Sequence, residues 1–158
     1  MKKLVLLVGL IFWTILPNAQ ASSLPNDWEI LLAKKIVIEN KHEGYDLALD
    51  TFERSLPSDM NGDSWYFTFL IHYYSKEYYR DISQYVSILE KAREKGSVLA
   101  ISTMYIIYSR PHLVSVIDTD KASRLKREYQ KLVSDGVISN EYSFEMVVNT
   151  SMKLLGLY

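Results

Sequence analysis

The histidines are the first side chains to consider for catalysis or metal binding, because imidazole titrates near neutral pH and ligates transition metals. His42, His72 and His112 lie 30 and 40 residues apart. Paired metal ligands on one helix need a spacing of three or four residues, and no such pair occurs. Cysteine is absent, which excludes disulfides, cysteine-ligated zinc and thiol catalysis. We therefore expect no metal site and no cofactor.

Serine and carboxylate patterns give no catalytic site either. Ser123 and Lys126 form a Ser-x-x-Lys pair, but the Lys-Thr-Gly motif that accompanies it in serine β-lactamases is missing. The segment from Asp59 begins like a calcium loop, but its sixth and twelfth positions hold Ser64 and Leu70 instead of Gly and Glu. The sequence therefore predicts a protein that is not an enzyme.

Tyrosine is the remaining chemical signal, with 12 copies in 158 residues. Its ring is apolar and its hydroxyl is polar, which suits half-exposed binding surfaces, and Tyr and Arg are enriched at binding hot spots. We expect roughly half of the tyrosines to fill the core. The candidate protein-binding residues lie in or at the ends of apolar helices: Tyr73, Tyr78, Tyr105, Tyr108 and Arg110.

The N-terminus has the pattern of a cleavable secretory signal peptide. Two lysines precede an apolar run over residues 4–16, and Ala19 and Ala21 supply small residues before a cleavage point. This run is shorter than the roughly 20 residues that span a bilayer. The predicted organisation is a signal peptide over residues 1–21 and one domain over residues 22–158. We expect the mature domain in the periplasm, without membrane contact after the signal peptide has been cleaved.

The charge balance excludes one class of partner. Loss of the signal peptide removes two of the 18 basic residues and none of the 19 acidic ones, which leaves 16 against 19 and a net charge of −3. Nucleic-acid binding depends on a basic surface, so we expect none. The 48% hydrophobic and 23% charged residues are typical of a globular domain.

Helix signals divide the first part of the domain. Asn26 and Glu29 predict a capping box at the start of the first helix, and Gly44 is the expected C′ residue at its end. The apolar residues at helical spacing in this helix are Trp28, Leu31, Leu32 and Ile36. A second helix is predicted from Tyr45 to about Leu56, with Leu47, Ala48, Phe52 and Leu56 on one face.

Residues 65–74 form an ambiguous apolar run. Local propensity favours a strand, but the run lacks period-two alternation and is long for a strand. We predict a buried helix capped by Asp63 or Ser64. Residues 98–108 pose the same choice, and the alternative is an α+β fold in which both runs are strands.

The clearest helix signal runs from the expected cap Asp81 to the closing Gly96, and two more helices are predicted at the end of the chain. Asp118 or Asp120 is predicted to cap a helix whose inward residues are Ala122, Leu125, Tyr129, Leu132 and Val133. Ser139 or Asn140 is predicted to cap a final helix that ends near Leu155. In total we expect six or seven helices.

Glycines punctuate this pattern at a repeating interval. Gly62, Gly96 and Gly136 are 34 and 40 residues apart, and an apolar run follows each of them. The expected caps of the second helices are Asp46, Asp81, and Asp118 or Asp120. Two helices per unit at this period are typical of an α-solenoid.

Two stretches resemble the Sel1-like branch of the tetratricopeptide family. Residues 81–96, with Asp81, Ala92 and the closing Gly96, are similar to the second half of a unit. Residues 103–136, with Tyr108 before the Asp-Lys-Ala of residues 120–122 and Gly136 at the end, are similar to a whole unit with an insertion. The resemblance covers roughly residues 27–136 and implies a scaffold or inhibitor that binds a protein. No catalytic residue carries over from it.

Together these features predict an all-α domain of antiparallel helix pairs stacked as a short α-solenoid. The expected role is a non-catalytic adaptor or inhibitor of a partner protein in the periplasm. The alternatives are an immunity protein that neutralises a periplasm-directed toxin and, as a further option, a small hydrolase. The partner is expected on the first-helix face, centred on Tyr73, Tyr105, Tyr108 and Arg110.

Overall fold

The structure, a computed structural model, describes residues 23–75, 85–110 and 117–157. Within these ranges the chain forms seven α-helices and no strand: α1 (Asp27–Ile38), α2 (Tyr45–Ser55), α3 (Asp63–Ser75), α4 (Val86–Glu94), α5 (Val98–Ser109), α6 (Thr119–Ser134) and α7 (Phe144–Leu154). The all-α prediction is confirmed, and both ambiguous apolar runs are helices. The predicted signal peptide with Ala19 and Ala21, the expected cap Asp81 and the candidate Tyr78 lie outside the described residues.

Helix α1 begins as predicted and ends earlier than predicted. Asn26 and Glu29 form the capping box, each side chain accepting a hydrogen bond from the other's backbone N–H. At the end, Asn40 takes the left-handed conformation with φ of 53°. The backbone N–H groups of Asn40 and Lys41 bond the carbonyls of Val37 and Ile36, which is a Schellman motif. The prediction of Gly44 as the C′ residue is wrong, because Asn40 tolerates this conformation four residues earlier.

Helices α3 and α5 are buried on almost every side. Tyr66, Phe69 and Leu70 of α3 are fully buried, and so are Ile101 and Met104 of α5. Helix α5 packs against α4, α6 and α7. This explains why neither run shows an amphipathic period: a helix with neighbours on most of its faces has no polar side to display.

Gly62 has a different role from the other two glycines of the predicted repeat. Gly96 and Gly136 end α4 and α6 as predicted, both at positive φ. Gly62, with φ of 74°, lies directly before α3 and packs against the end of α4. A Cβ atom at Gly62 would lie 2.2 Å from the carbonyl oxygen of Ala92. Gly62 therefore permits a close approach of two backbones and does not close a helix.

Three predicted caps have different outcomes. Asp118 caps α6, since its side chain accepts the Lys121 N–H. Asp46 lies inside the first turn of α2, whose N-cap is Gly44, so its predicted capping role is wrong. Helix α7 is capped by Ser143, not by Ser139 or Asn140.

The helices pack mainly on their neighbours in sequence, from α1 on α2 through to α5 on α6. Helix α7 departs from this order, because it lies chiefly on α5 and touches α6 less. None of the described helices has both the length and the apolarity for a membrane span.

The apolar residues of α1 occupy two faces. Ala33, Ile36 and Val37 are buried. Trp28 and Leu31, which helical spacing grouped with Ile36, are instead 68% and 58% exposed.

Candidate protein-binding surface

The structure places each described candidate residue of the first-helix face in contacts within the protein. Tyr73, Tyr105, Tyr108 and Arg110 are all half-buried. Tyr73 and its neighbour Tyr74 lie at the end of α3, and their hydroxyls donate to the carbonyls of Leu155 and Leu154, respectively. The end of α7 is thereby held against the end of α3.

Helix α7 also covers part of α5. The Tyr105 ring meets the Phe144 ring edge-on, with centroids 5.0 Å apart. The Arg110 guanidinium lies 3.2 Å from the sulfur of Met152. Three of the four described candidates therefore contact α7 or the residues directly after it. The expected open first-helix face is largely occupied by this helix.

Tyr108 belongs to a charged network between α4, α5 and α6. Its hydroxyl accepts a hydrogen bond of 2.9 Å from Lys121, whose ammonium also lies 4.3 Å from the ring centroid. Lys121 in turn contacts Glu90 at 3.3 Å. Burial lowers the pKa of Lys121, but the hydrogen bonds to Tyr108 and Glu90 outweigh it and the pKa is raised. Glu90 and Glu128 both bond Arg93, so the network ties α4 to α6.

A different surface is open: an apolar groove at the C-terminal end of the fold. Its volume is about 490 Å³. The groove lies between the start of α5, one side of α6, the α6–α7 loop and the first turns of α7. Its lining residues are uncharged and mostly apolar: Val98, Leu99, Tyr129, Ile138, Ser139, Tyr142, Met146, Val147 and Thr150. We call this surface the C-terminal groove.

The α6–α7 loop gives the groove its outer wall. After Gly136 ends α6, the N–H groups of Val137 and Ile138 bond the carbonyl of Leu132 and fold the chain back on the helix. The Tyr129 hydroxyl then holds the Tyr142 carbonyl at 2.5 Å. Helix α7 begins after this anchor, at Phe144 with Ser143 as its N-cap, so the predicted caps Ser139 and Asn140 are wrong.

Exposed apolar side chains form the rim of the groove, and exposed acidic residues are next to them in sequence. Tyr142 and Met146 are 57% and 52% exposed. Glu141 and Glu145 directly precede them in sequence and are exposed. Neither glutamate forms an ion pair within the described part of the chain. The rim therefore offers an apolar contact flanked by uncompensated negative charge.

A polar pocket of about 310 Å³ lies between α1 and the loop before α3. Its charged groups are already paired, since Lys34 contacts Asp63 at 2.5 Å. Asn61 and Asp59 accept the N–H groups of Asp63 and Trp65. These polar groups build the loop, so the pocket has no side chain set apart for chemistry.

The histidines of the described ranges are held by aromatic rings. The His42 ring lies 4.9 Å from the Tyr45 ring, and the His72 ring stacks on Tyr85 at 6.0 Å. His112 lies outside the described residues. The ranges that the structure describes contain no group of three or more acidic or histidine side chains placed to hold a metal ion.

Comparisons of the chain with protein-family models, with curated proteins and with solved structures found no match.

Sequence reasoning missed the C-terminal groove. The signal in the sequence was the set of apolar residues outside any predicted helix face, Val137, Ile138 and Tyr142, between Gly136 and Ser143. Such residues in a loop indicate either a covered core or a surface that binds something. Only the position of α7 decides that they border an open groove.

Proposed function

We propose that this protein is an exported, non-catalytic protein-binding module, acting as an adaptor or inhibitor, whose partner inserts an apolar side chain into the C-terminal groove. The observation that carries the proposal is an open groove of about 490 Å³ with no charged lining residue and with Tyr142 and Met146 exposed at its rim. Aromatic residues and Met are enriched at the centres of protein interfaces.

The charges at the rim specify the chemistry of the partner. Glu141 and Glu145 favour a segment that carries Lys or Arg beside its apolar anchor, because complementary charges steer encounter and fix orientation. Two nearby acidic groups at the solvent boundary act mainly on the association rate and are screened by salt. Binding is therefore expected to weaken as the ionic strength rises.

Site-specific photo-crosslinking in living cells tests the proposal. A photoreactive residue in place of Met146 should capture a partner that is not captured from Met60. Met60 is the matched control, since it is also an exposed methionine, at 86%, and lies outside the groove. Capture of the same set of proteins from both positions would overturn the proposal.

Charge reversal tests the chemistry of the partner. Glu141→Lys with Glu145→Lys should reduce the Met146 crosslink at least several-fold. Asp46→Lys with Glu53→Lys on α2 changes the net charge equally and should leave the crosslink intact.

A second experiment separates the adaptor role from the inhibitor role. An adaptor leaves the captured partner active and an inhibitor blocks its activity, so an activity assay of the crosslinked partner distinguishes the two. Rescue of toxin-expressing cells would assign the inhibitor role to immunity.

A further inference from the structure

A second apolar surface lies on the outer side of α1, far along the chain from the C-terminal groove. Trp28, Leu31 and Ile38 share this side of the helix, and Leu24 lies three residues before its first residue. All four are strongly exposed, at 68%, 58%, 58% and 59%. We call this surface, Leu24, Trp28, Leu31 and Ile38, the α1 stripe.

The stripe lies where a stacked-helix protein normally presents polar residues. Helix α1 is the first described helix, and its inner face packs on α2 and α3. Terminal helices of such arrays usually carry a polar outer face, which keeps the protein soluble. Single exposed apolar residues are ordinary, but three large ones along one side of a helix, with a fourth shortly before its start, mark an interaction surface.

Two exposed charges lie on the same side of α1. Asp27 is at the N-terminal end of the stripe and Lys35 is toward its C-terminal end. Asp27 has no ion pair among the described residues. Lys35 has only a contact of 3.8 Å with Glu39, and both side chains are exposed, at 63% and 39%. Exposed pairs of this kind contribute little to stability. Both charges are available to a partner that offers the opposite pattern.

A second copy of this chain offers that pattern. We propose that the α1 stripe is the interface of an antiparallel homodimer, with the two-fold axis passing close to Leu31. Leu31 then packs on its own copy, and Ile38 approaches Leu24 of the second copy. Asp27 meets Lys35 of the second copy, and the symmetry makes this contact twice. A parallel arrangement would instead place Asp27 beside Asp27 and Lys35 beside Lys35.

The size of the stripe sets the expected strength of the dimer. Helix α1 has 12 residues, so it is about 18 Å long. One helix of this length buries less than the roughly 800 Å² per partner of a standard stable interface. We therefore expect a weak dimer, with a dissociation constant on the order of tens of micromolar.

Sedimentation velocity measures this directly. The full chain is expressed and purified in the form in which it accumulates, and is measured from about 1 to 500 μM, a range that brackets the expected constant. The sedimentation coefficient should rise from monomer to dimer. Leu31→Glu should leave a monomer throughout, while the control Met60→Glu, equally charged but outside the stripe, should dimerise like the wild type.

A charge exchange tests the antiparallel arrangement. Asp27→Lys alone and Lys35→Asp alone should each weaken the dimer at least about threefold at low salt. The double variant should recover most of that loss, because it restores opposite charges across the interface. Both single changes oppose the helix dipole, so a gain of helix stability cannot cause the recovery. Circular dichroism confirms equal helix content.

Three results would overturn the homodimer: a monomer at every concentration, a dimer that Leu31→Glu does not weaken, or a double variant as weak as the single ones. Binding of a monomer to phospholipid vesicles through Trp28 would also overturn it and would assign the stripe to a lipid surface. The crosslinking experiment at Met146 does not depend on any of these measurements. Failure of the homodimer proposal therefore leaves the proposed function untouched, and failure of the proposed function leaves the homodimer untouched.

Discussion

The hydroxyl groups of Ser102 on α5 and Ser151 on α7 lie 2.6 Å apart, and both residues are fully buried. The Ser102 hydroxyl also lies 3.0 Å from the carbonyl of Leu99. Small side chains let two helices approach closely, and a shared hydrogen bond satisfies both polar atoms in the interior. This contact fixes α7 on α5, and α7 in turn forms one wall of the C-terminal groove.

The two serines should be energetically coupled. Ser102→Ala and Ser151→Ala should each lower the free energy of unfolding by about 1 kcal/mol, because each removes the buried hydrogen bond that the two hydroxyls share. The double variant should lower the free energy of unfolding by clearly less than the sum of the two single effects. Urea unfolding measures all three. Thr150→Ala, at the exposed neighbouring position, should change stability little, and additive single effects would contradict the coupling.

Gly62→Ala should be far more destabilising than Gly96→Ala. Both glycines have positive φ, which strains an alanine by about 1 kcal/mol. At Gly62 the new Cβ also meets the Ala92 backbone, whereas at Gly96 no atom lies within 4 Å. We expect a loss of about 3 kcal/mol at Gly62 and about 1 kcal/mol at Gly96. Thermal unfolding measures both variants. Equal losses of stability in Gly62→Ala and Gly96→Ala would show that the start of α3 does not approach α4 closely.

Stability should fall at alkaline pH because of Tyr66. Burial raises the pKa of its hydroxyl to about 12, although the hydrogen bond between Tyr66 and Thr103 lowers it in part. The unfolded chain then loses its proton near pH 10 and the folded chain does not. The folding equilibrium constant should therefore decrease up to tenfold per pH unit between pH 10 and 12.

Tyr66→Phe should flatten this dependence on pH, and in tyrosinate absorbance it should remove one of the groups that ionise only as the protein unfolds. Burial also raises the pKa of Tyr74, so a residual slope in the Phe variant is expected. A slope that stays unchanged would contradict the assignment to Tyr66.

Tyr108 separates a structural role from a binding role. Because its ring and hydroxyl contact Lys121, Tyr108→Ala should lower the free energy of unfolding by about 2 kcal/mol. Tyr108→Phe keeps the ring and should cost about 1 kcal/mol or less. Neither variant should abolish the Met146 crosslink while the protein stays folded. Unchanged stability with a lost crosslink would restore Tyr108 as a binding residue.

Local features were predictable wherever the decisive interaction lies within a few residues. The sequence correctly predicted the capping box of Asn26 and Glu29, the Asp118 cap and the glycines that end α4 and α6. The helical state of residues 65–74 and 98–108 followed from the lack of strand alternation. The Gly44 prediction failed within the same local range, because Asn40 also accepts positive φ and comes first along the chain.

Features that depend on distant residues required the tertiary structure. The sequence by itself determined a cysteine-free chain with an excess of tyrosine, and its helix signals favoured an all-α fold over the α+β alternative. It could not show that Gly62 meets Ala92, or that Tyr73 meets Leu155, because these residues are far apart in the chain. The packing of α7 on α5 decided the rest: it covers part of the predicted tyrosine face and leaves the C-terminal groove open. Helix periodicity says which residues turn inward, but only the packing of whole helices says which apolar side chains stay exposed to solvent.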